Sequence, residues 1–187
     1  RTSFKMNRKC AAGTGAFLEE NGLLQSRIYN DVRFGGWLIG QYHPPFEAFI
    51  DDRNEIHEAL LAEIWAIFSA SDVGAWEELL DRWRIDTVLL RYHEPLRVTT
   101  PDGRDLGRRG FSTLWFPTDR WATVYWDDVA IVIVRRSSVT EEFLVAREYR
   151  HLHPDDLEHL HLGESVPQGL QGLVANGRAA SRHPQLG

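Results

Sequence analysis

The chain has 187 residues, of which 43% are hydrophobic and 26% charged, and this is ordinary for a soluble globular domain with its own core. Its net charge of −6 argues against nucleic acid as a partner, since proteins that bind it usually present a basic face. The single cysteine excludes an intrachain disulfide, and no apolar stretch reaches the roughly 18–20 residues that cross a bilayer. We expect residues 1–165 to form a single α/β domain and residues 166–187 to form a flexible C-terminal tail.

The first part of the chain alternates short apolar runs with helical patterns. Residues 11–20 predict a helix that ends at an Asn-Gly pair, and residues 34–42 predict a second helix that begins at a glycine pair. Residues 26–30 and 46–50 predict two strands, because they are short apolar runs that end in polar clusters.

The middle of the chain carries two further helical patterns, a strand and a loop. Residues 54–69 place apolar side chains at helical spacing, and another helix starts at Asp72 or Gly74. Residues 86–92 predict a third strand. Residues 99–110 are rich in Gly, Pro, Asp and Arg, which is typical of an exposed loop.

The last third contains the clearest hairpin signal. Residues 121–126 and 129–136 are rich in β-branched and aromatic side chains and lie on either side of an Asp-Asp turn. Residues 111–116 are ambiguous, residues 141–150 predict either a strand or a helix, and residues 154–162 predict a short helix.

Together these elements predict an α/β fold with a mixed sheet. The apolar runs around Ile28, Phe49 and Val88 are separated by helical segments, and parallel crossovers need connections of that length. We therefore expect three parallel strands joined by helices, with the C-terminal hairpin adding antiparallel strands to the same sheet.

Polar side chains follow each of the three predicted strands. Because parallel strands end at the same edge of a sheet, these side chains are expected to meet where open α/β sheets build their sites. The candidate ligand-binding residues are Asn30, Asp31, Gly35, Gly36, Asp51, Asp52, Arg53 and His93.

Two interpretations of these residues stay open. Paired carboxylates beside an arginine can bind sugar hydroxyls, hold a divalent ion or act as acid and base. Alternatively, the acids and amides cap helices, and Asp51 with Arg53 forms a structural clasp that reaches toward Asn30 and Asp31. The glycine pair lacks the spacing of a nucleotide-binding fingerprint, so close helix packing is favoured over an approach to phosphate. We expect no catalytic residue and no cofactor.

The segment around Cys10 resembles the cysteine motif of the activator ATPases of 2-hydroxyacyl-CoA dehydratases. In that family the cysteine helps to hold an iron–sulfur cluster between two subunits. This chain offers one thiolate where such clusters usually need four, and it has no phosphate-binding motif before this point. We therefore interpret the segment as the start of a small-residue helix and expect no cluster.

A group of histidines near the C-terminus is the candidate set for a metal. These residues are His151, His153, His159 and His161. Acids lie among them, and histidines with acids can bind zinc or a similar ion. Helical zinc sites usually present histidines at i and i+4, and that spacing is absent. We interpret the group as a solvated connector and expect no metal.

Four segments follow one another in an informative order and spacing. Residues 30–39 contain Asn-Asp and then Gly-Gly-Trp-Leu-Ile, residues 49–53 read Phe-Ile-Asp-Asp-Arg, residues 76–90 predict a helix and a strand, and residues 121–132 predict most of the hairpin. This series resembles the domain after the last membrane helix of bacterial polytopic mannosyltransferase-like proteins, relatives of the dolichyl-phosphate-mannose-dependent enzymes. The chain departs from the family pattern at three positions, Val32, Asp52 and His57.

The resemblance implies an extracytoplasmic, non-catalytic domain, because the transferase chemistry of that family is expected in its membrane portion. We therefore expect a binding or assembly domain at the periplasmic face of a bacterial membrane, with a membrane protein or membrane complex as its partner. A cytoplasmic location stays open. The rival hypothesis is a sugar-binding or glycosyltransferase-related domain that holds a glycan or a lipid-linked sugar through Asp31, Asp51 and Arg53.

Overall fold

The computed structural model describes residues 12–44, 46–93, 95–99, 105–150 and 152–156. Within these ranges the regular elements are six α-helices, six β-strands and two short 3₁₀ helices, Leu23–Gln25 and Arg136–Ser138. The helices are α1 (Ala12–Glu20), α2 (Val32–Tyr42), α3 (Asn54–Ala70), α4 (Val73–Arg82), α5 (Phe111–Trp115) and α6 (Glu141–Arg147). The strands are β1 (Ile28–Asn30), β2 (Thr87–Arg91), β3 (Leu96–Thr99), β4 (Asp105–Arg109), β5 (Trp121–Trp126) and β6 (Ala130–Arg135). No described helix has both the length and the apolar character that a membrane span requires.

The α/β class with a mixed sheet is confirmed. Four strands form one sheet in the order β1-β2-β6-β5, and β3 and β4 form a separate ribbon. β1 and β2 run parallel, with Tyr29 opposite Val88, and the other pairs are antiparallel. The predicted hairpin is therefore present as β5 and β6, in the same sheet as the parallel pair.

Side-chain caps decide where several helices begin. The Asp31 carboxylate accepts a hydrogen bond from the Arg33 backbone N–H at 2.9 Å, and Asp72 accepts one from Ala75 at 2.9 Å. These acids satisfy N–H groups that have no partner within the helix. For this reason α2 begins at Val32, two residues before the predicted start, and α4 begins at Val73.

The described chain divides into two compact units. The first comprises the residues up to Arg91 and Asp128–Val132. Its core contains the fully buried Trp76, whose ring is perpendicular to that of Tyr29 with the two ring centroids 5.1 Å apart. The second comprises the remaining residues, and in its core Phe116 packs edge-on against the buried Trp121 at 5.5 Å. The expectation of a single domain over residues 1–165 stays a prediction.

The second predicted strand, residues 46–50, is wrong. These residues form an irregular segment that pairs with no strand in the described part of the chain, so two parallel strands are described where three were expected. The physical reason is that the Asn30 side chain bonds the backbone of this segment. Phe49 donates to the Asn30 amide oxygen, and Ile50 accepts from the Asn30 amide nitrogen.

The predicted loop over residues 99–110 is wrong at Thr99 and Asp105–Arg109, which are strand, and its residues 100–104 lie outside the described ranges. β3 and β4 pair antiparallel, with a register shift between Arg97 and Thr99. Arg97 bridges Asp105 across the ribbon, and the Asp105 side chain accepts from the Gly107 backbone N–H at 2.9 Å. A two-stranded ribbon that is largely exposed needs no apolar alternation, so its polar composition concealed it.

Three weaker predictions are resolved in part. The ambiguous residues 111–116 contain helix α5, and residues 141–150 contain helix α6 instead of a strand. Of the short helix predicted over residues 154–162, Pro154 and Asp155 lie in a turn and the residues after Asp156 lie outside the described ranges. Cys10 and the predicted tail are also outside them.

Candidate functional site

Asn30 organises the end of β1. Its side chain is fully buried, and its amide nitrogen donates to the carbonyl oxygens of Ile50 at 2.7 Å and Asp31 at 3.0 Å. Its amide oxygen accepts from the Phe49 backbone N–H at 3.0 Å. Both ends of the amide therefore hold the irregular segment against β1. These bonds also supply partners to buried backbone groups, which would otherwise be left without a hydrogen bond.

Asp51 and Arg53 form the predicted clasp. The guanidinium Nε of Arg53 lies 2.9 and 3.0 Å from the two carboxylate oxygens of Asp51, and Nη2 lies 2.5 Å from Oδ2. The Arg53 backbone N–H donates to the same carboxylate at 2.9 Å. The Asp51 side chain is 4% exposed and that of Arg53 is 60% exposed, so the clasp joins a buried charge to one that lies largely in solvent.

The clasp controls the protonation of Asp51. Hydrogen bonds from the Arg53 side chain hold the pKa of Asp51 at about 2, below its ordinary value of 3.8, although burial acts in the opposite direction. Asp51 is therefore ionised at neutral pH. A carboxylate with so low a pKa is a weak base, and at neutral pH it carries no proton to donate.

His57 is a member of this cluster that the sequence analysis did not include among the candidates. It lies in the first turns of α3, and its Nε2 is 3.5 Å from Asp51 Oδ1. Nε2 is buried and has no hydrogen-bond partner in the described structure. Its spacing from Asp51, six residues across a helix start, gave no periodic signal that would have identified it. We refer to Asn30, Gly35, Asp51, Arg53 and His57 as the Asp51 cluster.

Gly35 allows α2 to approach the irregular segment closely. A Cβ atom at this position would lie 2.2 Å from the Ile50 carbonyl oxygen and 2.6 Å from the Asp51 Cα. Gly36 is exposed, and a Cβ there would meet nothing within 4 Å among the described residues. Gly35 therefore serves close packing, as favoured from the sequence, although α2 packs on an irregular segment at this point.

The other candidates lie at the margin of the cluster or in the second unit. Asp31 caps α2 and is half-buried, and Asp52 is exposed. His93 is exposed and belongs to the second unit. Of the eight candidates, the structure thus joins Asn30, Gly35, Asp51 and Arg53 most directly.

A second polar cluster, in the second unit, was missed from the sequence. Asp155 accepts from the backbone and the hydroxyl of Ser112, and Asp156 accepts from Thr113 at 2.6 Å and from Arg109 at 3.1 Å. Both carboxylates are buried. They tie the chain after α6 to α5 and β4, and in the sequence they were read as acids within the histidine group.

The four candidate metal-binding histidines fall partly outside the described residues. His153 is buried in the second unit, whereas the other three candidate histidines lie outside the described residues. Among the residues that the structure describes, no group of three or more His, Cys, Asp or Glu side chains could hold a metal ion.

One small cavity lies in the second unit. It is lined by Ser112, Thr123, Glu148, Tyr149 and His153 among others, and its volume is about 10 Å³. This is about the space that one water molecule needs, so the cavity is too small for a substrate.

Comparison with known proteins found no match among protein-family models, curated proteins or solved structures.

Proposed function

We propose that the chain is a non-catalytic, extracytoplasmic binding or assembly domain associated with a membrane protein or membrane complex. The observation that carries the proposal is the state of the Asp51 cluster. The most site-like residues of the sequence hold one another: Arg53 occupies both oxygens of Asp51, and backbone groups occupy both ends of the Asn30 amide.

This bonding leaves the cluster poorly suited to acid–base chemistry. A general acid or base works best when its pKa lies near the operating pH, and the pKa of Asp51 is about 2. Arg53 already bonds both carboxylate oxygens of Asp51, so a metal ion would have to displace its guanidinium first. The cluster instead has the properties of a structural joint between β1, α2 and the start of α3.

Two further points support assembly with a membrane protein. The collinear segments from about Phe17 to Arg136 resemble a domain that follows membrane helices. In addition, the first unit exposes large apolar side chains, with Trp65 69% and Ile56 68% exposed. Exposed aromatic side chains of this size are enriched where proteins meet other proteins.

The test is to purify the tagged chain from the membranes of the cells that make it, in a mild detergent. We expect an integral membrane protein to co-purify with the chain in near-stoichiometric amounts. A folded Asp51→Asn variant should co-purify with the same membrane protein. If the chain purifies alone, or if Asp51→Asn abolishes a measurable glycosyl transfer, the proposal is wrong.

One observation favours the rival, sugar-binding function. Arg53 and Asp52 reach solvent close in sequence to Phe49, and the half-exposed Trp83 packs edge-on against Phe49 at 5.3 Å. An aromatic side chain beside polar groups can bind a sugar. Calorimetric titration with mannose-containing oligosaccharides tests this function, since binding that is lost in Trp83→Ala and kept in Trp65→Ala would favour it over assembly.

A further inference from the structure

The exposed side of α3 lacks the charged character that is usual for a solvent-facing helix. Its exposed positions include Glu58, Ala59, Ala62, Trp65, Ala66, Ser69 and Ala70. At about 100° per residue these positions fall within an arc of about 140°. We call this set the α3 face. One of its seven residues is charged, and the largest, Trp65, is 69% exposed.

The α3 face combines one large exposed aromatic side chain with a row of small side chains, and both features suit contact with a partner helix. Trp65 is a large, amphipathic side chain of the type that dominates binding energy when it becomes buried. The alanines on the same side lack long side chains, so a second helix can approach closely along them. With 17 residues, α3 is about 25 Å long, which matches a partner helix of between four and five turns.

The charge of α3 restricts which partner fits. The helix contains three glutamates and no lysine or arginine. Arg82 of α4 bridges Glu63 at 2.7 Å, whereas Glu58 is exposed on the α3 face about two helical turns before Trp65. The helix therefore presents an apolar strip with an acidic margin.

The same charge disfavours a second copy of the chain as the occupant. Two α3 faces in contact would bring together two surfaces on which the one charged residue is a glutamate, Glu58. Like charges across an interface oppose association, whereas complementary charges favour it. The expected partner thus carries the opposite sign.

We propose that the α3 face docks an amphipathic helix of the partner protein, with an apolar contact side and lysine or arginine along its flank. The inference rests on the proposed assembly function and specifies the surface and the chemistry of the partner. Burial of Trp65 and the alanines supplies the attraction, and Glu58 selects a basic flank.

Site-specific photo-cross-linking in the full-length chain tests the inference. A photoreactive phenylalanine analogue replaces Trp65 in one variant and Gln41, an exposed residue of α2, in a matched control. After irradiation of membranes from the cells that make the protein, the cross-linked peptides are identified by mass spectrometry. We expect cross-links from position 65, and not from position 41, to a helical segment with basic residues on one flank.

A charge reversal provides the second readout. With the probe at position 65, Glu58→Lys should lower the cross-link yield about fivefold at low salt, because it replaces an attraction by a repulsion. The difference should shrink as salt is raised, since exposed charges are screened. Reversal of Glu78, an exposed glutamate on α4, serves as the control and should change the yield little.

The outcomes separate this inference from the proposed function. Cross-links to a membrane protein from position 41 alone would overturn the docking inference and leave assembly standing. Cross-links from position 65 to a second copy, to another part of the same chain, to lipid or to an acidic segment would overturn the inference as well. If no membrane protein co-purifies at all, the proposed function itself fails.

Discussion

Replacing Arg53 by alanine should destabilise the fold by about 1–2 kcal/mol. The change removes the guanidinium from the buried Asp51 carboxylate and leaves it with the backbone N–H of residue 53 and with His57 Nε2 at 3.5 Å. The pKa depression from 3.8 to about 2 corresponds to about 2.4 kcal/mol of favourable interaction with the ionised form. Because the Arg53 side chain is 60% exposed, solvent screening reduces this figure, and a fully buried pair would cost about 3–5 kcal/mol.

The assay is thermal and chemical denaturation at pH 7. For a protein of this size, 1–2 kcal/mol lowers the melting temperature by about 2–8 °C. The Asp51→Asn/Arg53→Ala double variant should lose less than the sum of the single changes, since the residues interact directly. Arg33→Ala, at an exposed arginine on α2, should stay within about 0.5 kcal/mol of wild type. If Arg53→Ala is as stable as Arg33→Ala, the clasp does not stabilise the fold.

Three further predictions concern the same region. Gly35→Ala should lower the free energy of unfolding by about 1–3 kcal/mol in denaturation experiments, because its Cβ would lie 2.2 Å from the Ile50 carbonyl oxygen. The control Gly36→Ala should be neutral or stabilising. Equal effects of the two substitutions would contradict the close packing at Gly35. Asn30→Ala should cost about 2–3 kcal/mol because it strands the Phe49 N–H and the Ile50 carbonyl, and Asn21→Ala, which removes one half-exposed bond, should cost less than half of that. Folding lowers the pKa of Asp51, so the ionised carboxylate stabilises the fold fully well above pH 3.8, and this contribution is lost as the pH falls toward about 2. The free energy of unfolding of wild type, relative to that of Asp51→Asn, should therefore fall over that range. A constant difference between the two proteins would contradict the assigned pKa.

Local signals in the sequence predicted the helices and the hairpin well. The amphipathic spacing of residues 54–69 and the two apolar runs around the Asp-Asp turn became α3 and the β5–β6 hairpin. Each of these elements is defined by contacts that are near in sequence. The clasp was predicted for the same reason, because Asp51 and Arg53 are two residues apart.

The errors arose where a distant side chain decides the backbone. Residues 46–50 have the composition of a strand, but Asn30, about 20 residues earlier, bonds their backbone groups. The hydrogen bond between Asp155 and Ser112 joins residues that are 43 positions apart, and the periodic spacing of apolar residues does not predict such a bond. A single sequence shows which residue types are present at each position. It does not show which distant residues meet, because such bonds form only in the folded arrangement.

The most direct test of the assembly function compares two variants in one purification. The ratio of co-purified membrane protein to tagged chain is measured for wild type, Asp51→Asn and Trp65→Ser, each first shown to be folded by circular dichroism. We expect Asp51→Asn to keep the wild-type ratio and Trp65→Ser to lose most of the partner, because Asp51 is bonded internally and Trp65 is exposed on the α3 face. Loss of the partner with Asp51→Asn and retention with Trp65→Ser would contradict both proposals.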